Sequence, residues 1–293
     1  VGFSDAFKEA VGKAGAACPL LVMLLLLHHL PGLTISFYLS IMNLNTFYLL
    51  LGAWTFLALI LAPVQLRIAA PYGRHVKSSW GPAIDNRLGW MLMEIVSPVA
   101  LMYWMWRGSP AATPALYVLA GLWVLHYVNR SVIFPLRLRT RGKRIPVAIV
   151  LSAAVFNLFN GFFNGYWWGY LAGPYPDDWL RDPRFILGAV LFAGGAFVNH
   201  RSDALLIALR RPGETGYRIP QGWLFRWVSC PNHLGEIVQW FGFALMAWNL
   251  PALSFAVWTA ANLIPRAVAH HRWYQAQFAD YPARRRAVVP GVW

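Results

Sequence analysis

Seven apolar runs, each of helix length, constrain this chain more than any other feature. They are Leu44–Leu66, Leu88–Trp106, Pro114–Phe134, Pro146–Leu171, Phe185–Leu209, His233–Trp248 and Pro251–Val268. A bilayer core about 30 Å thick is crossed by about 20 apolar residues in a helix. Inside lipid every backbone N–H and C=O needs an internal partner, so such runs fold as helices. None shows the two-residue alternation of a membrane barrel strand. The expectation is an all-α polytopic membrane protein, a bundle of seven transmembrane helices. Composition agrees: 58% of residues are hydrophobic and 12% charged, against about 25% charged in soluble domains. The last two runs are separated only by Asn249-Leu250-Pro251, a tight hairpin.

Residues 1–43 read as an N-terminal amphipathic, interfacial segment ahead of a membrane domain over 44–293. Its apolar stretch Pro19–Leu30 is too short to span, and no basic start marks it as a cleaved signal. His28 and His29 end that stretch. Neighbouring side chains on a helix point about 100° apart, so the pair reads as an interfacial feature and not a metal site. Cys18 and Cys230 lie far apart without ligand spacing, which argues against a disulfide framework or zinc, and no metal is expected.

The net charge is +14. In a membrane protein this points to basic loops at one leaflet and to phosphate-bearing ligands. No interleaved basic and aromatic motif suggests nucleic acid. Alternating the seven runs puts Arg67, Arg74, Lys77, the Arg137–Arg144 loop, Arg210, Arg211, Arg218, Arg226 and the tail on one side. The other side holds Lys8, Lys13, Arg107, Arg181 and Arg184. The rich side reads as cytosolic, with the C-terminus on it, in a bacterial inner membrane or the endoplasmic reticulum.

Several polar residues lie inside or at the ends of the runs. Glu94 and Tyr127 sit six or seven residues in from the basic side, each roughly 10 Å deep at 1.5 Å per residue, so they can meet. A carboxyl at that depth costs several kcal/mol unless it is protonated or paired. It either serves a site or braces two helices. Asn199, Asp203 and Arg210, spaced by four and seven, share one helix face, as do Arg266, His270 and Tyr274. Arg130 lies near the same mouth. The stretch Gly216–Glu236, GYRIPQGWLFRWVSCPNHLGE, adds Tyr217, Arg218, Asn232 and Glu236. A helix opening there can hold an anion on its free N–H groups, although the stretch also reads as a plain capped loop. So many arginines fit a cytosolic phosphate ligand. The absence of G-x-G-x-x-G makes any nucleotide site a non-Rossmann one.

From Leu88 to the C-terminus the chain resembles the steroid 5α-reductase family of membrane reductases. The matching stretches are GWMLMEIVSP, HYVNRSVIFP, NHRSDALLIALRRPGE, GYRIPQGWLF, SCPNHLGE and RAVAHHRWYQAQFADYPARRRAVVP. The resemblance implies NADPH as cofactor and reduction of the C4–C5 double bond of 3-oxo-Δ4 steroids. It implies Glu94 and Tyr127 as the pair that polarises the 3-ketone. It implies cofactor contacts at Arg130, Lys143, Asn199, Asp203, Arg210, Tyr217, Arg218, Asn232, Glu236, His270, Tyr274 and Arg285. The expected partners are a steroid or sterol-like lipid entering from the bilayer, and membrane lipid, around a monomer. Trp223 stands where the family carries Gly-Gly after RIPQ, which puts the local shape of the mouth in question.

Other readings stay open from the residues. One is a sterol or enoyl-lipid reductase using NADPH. Another is a membrane methyltransferase using S-adenosylmethionine, against which His270-His271 and SCPNH stand in place of a Glu-Glu pair and an RHP turn. A lipid transporter would carry inverted repeats, and none is apparent.

Overall fold

The computed structural model describes residues 42–75, 80–139, 142–210 and 216–291. The expected interfacial segment, with His28 and His29, lies almost wholly outside the described residues. Seven long helices follow in order: α1 (Leu44–Arg67), α2 (Asn86–Gly108), α3 (Pro114–Arg137), α4 (Val147–Leu171), α5 (Pro183–Ala208), α6 (Pro231–Ala247) and α7 (Leu250–Gln277). Five of them, α1–α4 and α7, are long and apolar enough to cross a membrane. The other two of the seven expected spans fall short of that. α6 has only 17 residues, about 26 Å at 1.5 Å per residue. α5 has 26 residues, but Asn199, His200, Arg201 and Asp203 make its last turns polar.

Side chains set the helix starts. Asp85 accepts from the Arg87 and Leu88 N–H groups at 2.9 and 3.1 Å and starts α2. Asp182 accepts from Arg184 N–H at 2.8 Å, and Asn249 accepts from Ala252 N–H at 2.9 Å. Each satisfies a donor that the first helical turn leaves free. The hairpin between α6 and α7 forms as expected: Trp248 takes a left-handed conformation (φ 47°) and Pro251 sits in the first turn of α7.

Two local departures from the regular bundle bear on the site. A two-stranded antiparallel ribbon pairs β1 (Ala83–Asp85) with β2 (Arg144–Pro146), with Ile84 opposite Ile145. The ribbon ties the start of α2 to the start of α4 and fixes Lys143, whose carbonyl accepts from Asn86 N–H at 3.0 Å. Among the described residues it is the only two-stranded sheet, and a single parallel bridge between Val228 and Arg286 is the other β contact. The second is a π-turn at Asn129–Ile133 inside α3. Pro135 has no N–H to continue the α-helical ladder, and the extra residue just upstream accommodates it. The wider turn carries Arg130.

Helices α5 and α6 meet through glycines. A Cβ on Gly195 would lie 2.5 Å from the Gly235 carbonyl oxygen, and one on Gly242 would lie 2.7 Å from that of Gly188. Small residues let two backbones approach this closely without clash. The approach seats Asn199 of α5 against Asn232 of α6, with Asn199 Nδ2 donating to the Asn232 carbonyl at 3.0 Å. Trp123, Trp240, Phe243 and Phe255 fill the space among α3, α6 and α7, each nearly inaccessible.

The tail folds back on the stretch that precedes α6. Arg286 N–H donates to the Trp227 carbonyl at 2.8 Å, and Ser229 N–H to the Arg286 carbonyl at 2.8 Å. The Ser229 hydroxyl lies 2.7 Å from His271 Nδ1 and 2.6 Å from the Tyr281 hydroxyl.

Candidate active site

At the end of the bundle where α1 and α7 finish and α2, α4 and α6 begin lies a cavity of about 280 Å³. Ten of the twelve residues expected at a cofactor line it: Arg130, Lys143, Asp203, Arg210, Tyr217, Arg218, Asn232, Glu236, His270 and Tyr274. The remaining two stand behind its wall. Asn199, 1% exposed, donates to Glu236 Oε2 at 3.1 Å. Arg285, 2% exposed, donates to the Pro220 carbonyl at 3.1 Å and so anchors the loop after Tyr217. Those two shape the pocket from outside it.

The cations gather in two groups. In the first, Arg74, Lys143 and Arg210 surround the Tyr217 ring at 5.2, 4.5 and 4.9 Å from its centroid. Lys143 Nζ also donates to the Tyr217 hydroxyl at 3.0 Å. Burial alone would raise the Tyr217 phenol. The Lys143 ammonium, with Arg210 and Arg74 beyond it, outweighs burial and holds it below its ordinary value. In the second group Arg130 meets Asp203 at 3.5 Å. Asp203 also accepts from Asn232 Nδ2 at 3.0 Å.

Sequence reasoning gave no contact to Arg74 or His75, and named Arg266 at the mouth without a partner. Arg74 lies over the Tyr274 ring at 4.4 Å and donates to its hydroxyl at 3.2 Å. His75 meets His270 at 3.1 Å between ring nitrogens. Arg266 donates to the Ala70 and Tyr72 carbonyls at 2.9 and 3.0 Å, which pins the loop that carries Arg74. Before Leu88 the chain has no motif, so only the arginine content of that loop hinted at a role. Trp223 lies away from the mouth. It follows Gly222 (φ 71°) and itself has φ 48°. Its ring meets Phe197 edge-on at 5.8 Å, so the substitution leaves the cavity lining alone.

A second cavity, about 190 Å³, lies deeper. It shares Tyr72, Trp90, Arg130, Glu236 and Leu263 with the mouth. Glu94 and Tyr127 both line it, among Met93, Phe156, Trp240, Phe255 and Trp258. The two therefore converge on one chamber from α2 and α3, as their matched depths implied. They do not bond to each other directly. Asn157 of α4 stands between them: its Oδ1 accepts from the Tyr127 hydroxyl at 3.2 Å, and its Nδ2 lies 3.5 Å from Glu94 Oε2.

The family model described as 3-oxo-5-alpha-steroid 4-dehydrogenase matches residues 143–293. The 3-oxo-5-alpha-steroid 4-dehydrogenase 2 of Homo sapiens is 41% identical over 252 residues, covering 83% of this chain and 96% of the relative. The chain belongs to the steroid 5α-reductase family. Other members are similarly close. The steroid 5-alpha-reductase DET2 of Gossypium hirsutum is 39% identical over 230 residues, 77% of this chain and 89% of the relative. The 3-oxo-5-alpha-steroid 4-dehydrogenase 1 of Bos taurus is 38% identical over 227 residues, 76% and 88%. Membership makes the protein an oxidoreductase of the class acting on CH–CH bonds.

The mouth has a pH signature of its own. Burial, with the Arg266 and Arg74 guanidiniums beside it, holds His75 down at about 4, from an ordinary value of 6.5. Between those values the unfolded chain binds the proton that the folded chain refuses. Stability therefore falls as pH drops through that window. Thermal unfolding in detergent followed from pH 7 to pH 4 is expected to show a declining midpoint. His75→Gln is expected to decline less steeply, and an unchanged slope in that variant would contradict the assignment.

Proposed function

We propose that this protein reduces the C4–C5 double bond of 3-oxo-Δ4 steroids with NADPH. The observation that carries this reading is the shared wall: the chamber holding Glu94 and Tyr127 adjoins a mouth lined by arginines and lysine. The donor set fits a phosphorylated dinucleotide. Arg74 Nη1 and His233 Nδ1 are buried at the mouth without a hydrogen-bond partner among the described residues. Three cations crowd one tyrosine ring, an arrangement that repels itself until an anion joins it. We assign Arg130, Lys143, Asp203, Arg210, Tyr217, Arg218, Asn232, Glu236, His270 and Tyr274 to that ligand, with Asn199 and Arg285 supporting them.

When bound, NADPH supplies the hydride that adds to C5 of the enone. As it adds, negative charge moves onto the 3-keto oxygen. The Tyr127 hydroxyl and a protonated Glu94 carboxyl donate hydrogen bonds to that oxygen. Donors aimed at charge that develops only in the transition state lower the barrier more than they tighten substrate binding. C4 then takes a proton from solvent, which restores the ketone and leaves the 4,5-bond saturated. The aromatic walls around Phe156, Trp240 and Trp258 keep bulk water away and take up the apolar steroid, which enters from the bilayer.

Tyr127→Phe removes one donor and is expected to lower turnover of a 3-oxo-Δ4 steroid on the order of 10²-fold. Glu94→Gln keeps a donor of lower acidity and is expected to lower kcat while part of the steroid affinity survives. Both variants are expected to bind NADPH as the unmodified protein does. Product chromatography beside a separate cofactor titration measures both properties. Near-normal turnover by both variants would refute the pair. A protein that binds NADPH and reduces no 3-oxo-Δ4 steroid would point instead to another lipid substrate.

The cofactor choice follows from the crowd of cations, since a 2′-phosphate gives them a further dianion to pair. Arg210→Ala is expected to raise the NADPH KM at least about tenfold, the scale of losing a charge-assisted contact, while steroid KM moves little. Equal activity of the unmodified protein with NADH would count against the reading.

We further propose that all seven helices span, with the mouth and tail cytosolic. The outer surface of α5 supports this: Ile186, Leu187, Val190 and Phe197 are exposed and apolar. The basic side of the chain supports the orientation. A cysteine replacing exposed Arg284 is expected to react with an impermeant maleimide only after sealed inside-in vesicles are opened. Labelling of the intact vesicles would reverse the assignment.

A further inference from the structure

Asn157 lies on α4, 3% exposed, in the wall of the inner chamber. Its Nδ2 donates to the Met93 carbonyl at 2.7 Å. A backbone carbonyl only accepts, so this contact fixes which way the amide points. The Oδ1 is therefore the atom turned to Tyr127, whose hydroxyl donates to it at 3.2 Å. The remaining N–H of Nδ2 faces Glu94 Oε2 at 3.5 Å. One amide thus touches both members of the pair, and its orientation is locked by the backbone of the residue next to Glu94.

The consequence is a defined proton arrangement. A carboxyl oxygen that faces an N–H is held as an acceptor, so the acid proton of Glu94 sits on its other oxygen. Likewise the Tyr127 proton points at Asn157 before substrate arrives and turns from it to the ketone oxygen when substrate binds. We propose that Asn157 is a positioning residue for the reduction: its amide holds the Glu94 carboxyl and the Tyr127 hydroxyl in register for one ketone oxygen. This rests on the reading of Glu94 and Tyr127 as the polarising pair. A brace between α2 and α4 would use the Met93 contact alone and would leave the Tyr127 contact without a role.

A double-mutant cycle separates the two roles. In the full-length protein in detergent, Asn157→Ala is expected to lower kcat by about 10- to 100-fold, on the scale of lost orientation. Steroid KM and the NADPH dissociation constant are expected to stay within about twofold. In a Tyr127→Phe background the same change is expected to cost less than about threefold, since its partner is already gone. Asn157→Asp keeps an acceptor for Tyr127 but sets a second carboxyl beside Glu94. It is expected to displace the pH profile of kcat, which a lost brace would not do.

An equal loss from Asn157→Ala in both backgrounds, or near-normal kcat in the single variant, overturns the proposal. If Asn157→Ala fails to bind NADPH, Asn157→Ser is carried through the same cycle and judged on the same criteria. The outcomes also separate the two readings. Full turnover by Tyr127→Phe and Glu94→Gln would refute the pair itself. Loss in those variants with an additive cycle would refute only the role of Asn157.

Discussion

Arg130 and Asp203 meet at 3.5 Å with side chains 11% and 8% exposed, and much of the bundle depends on that contact. Removing two charges from water costs several kcal/mol per ion unless geometry and further hydrogen bonds offset it. The surroundings supply both. The π-turn of α3 aims Arg130 inward, and Trp90 and Phe134 place ring faces 5.2 and 4.8 Å from its guanidinium. Asn232 donates to the free side of Asp203, and Asn199 completes the array by holding Glu236. That array exists only because the glycines of α5 and α6 let Asn199 and Asn232 touch. Helix packing and the polar mouth are therefore one construction.

The ion pair also marks a boundary. On one side of Arg130 the walls are basic, with tyrosine faces among them. On the other they are aromatic, with isolated polar groups. A charged ligand and an apolar one can thus approach from opposite directions and meet at a shared wall only a few side chains wide. A low-dielectric chamber next to a basic mouth strengthens every donor inside it.

Much of this was legible in the sequence, and for physical reasons. Lipid forces apolar runs into helices, so the seven long helices could be placed from hydropathy and from Pro251. Residue spacing on a helix predicted that Asn199 and Asp203 share a face, and depth predicted that Glu94 and Tyr127 share a chamber. What escaped depended on contacts between distant segments. Three residues of ribbon beside Lys143 carry too little pattern to read. The π-turn is a response to Pro135 that spacing rules for a regular helix do not contain. Asn157 is one of three amides, with Asn160 and Asn164, on α4, and only the approach of α2 and α3 singles it out. Arg74 was placed by Arg266, a residue almost two hundred positions away.

The returning tail bears on the order in which the protein is made. The stretch before α6 is pinned by the backbone of Arg286 and by Tyr281, through Ser229 and His271. Synthesis runs from the N-terminus, so all seven helices are made before those residues are. Until they are made, the loop bearing Tyr217 lacks the Arg285 anchor. The wall of the mouth behind Tyr217 is thus completed only after the whole helical bundle has been made.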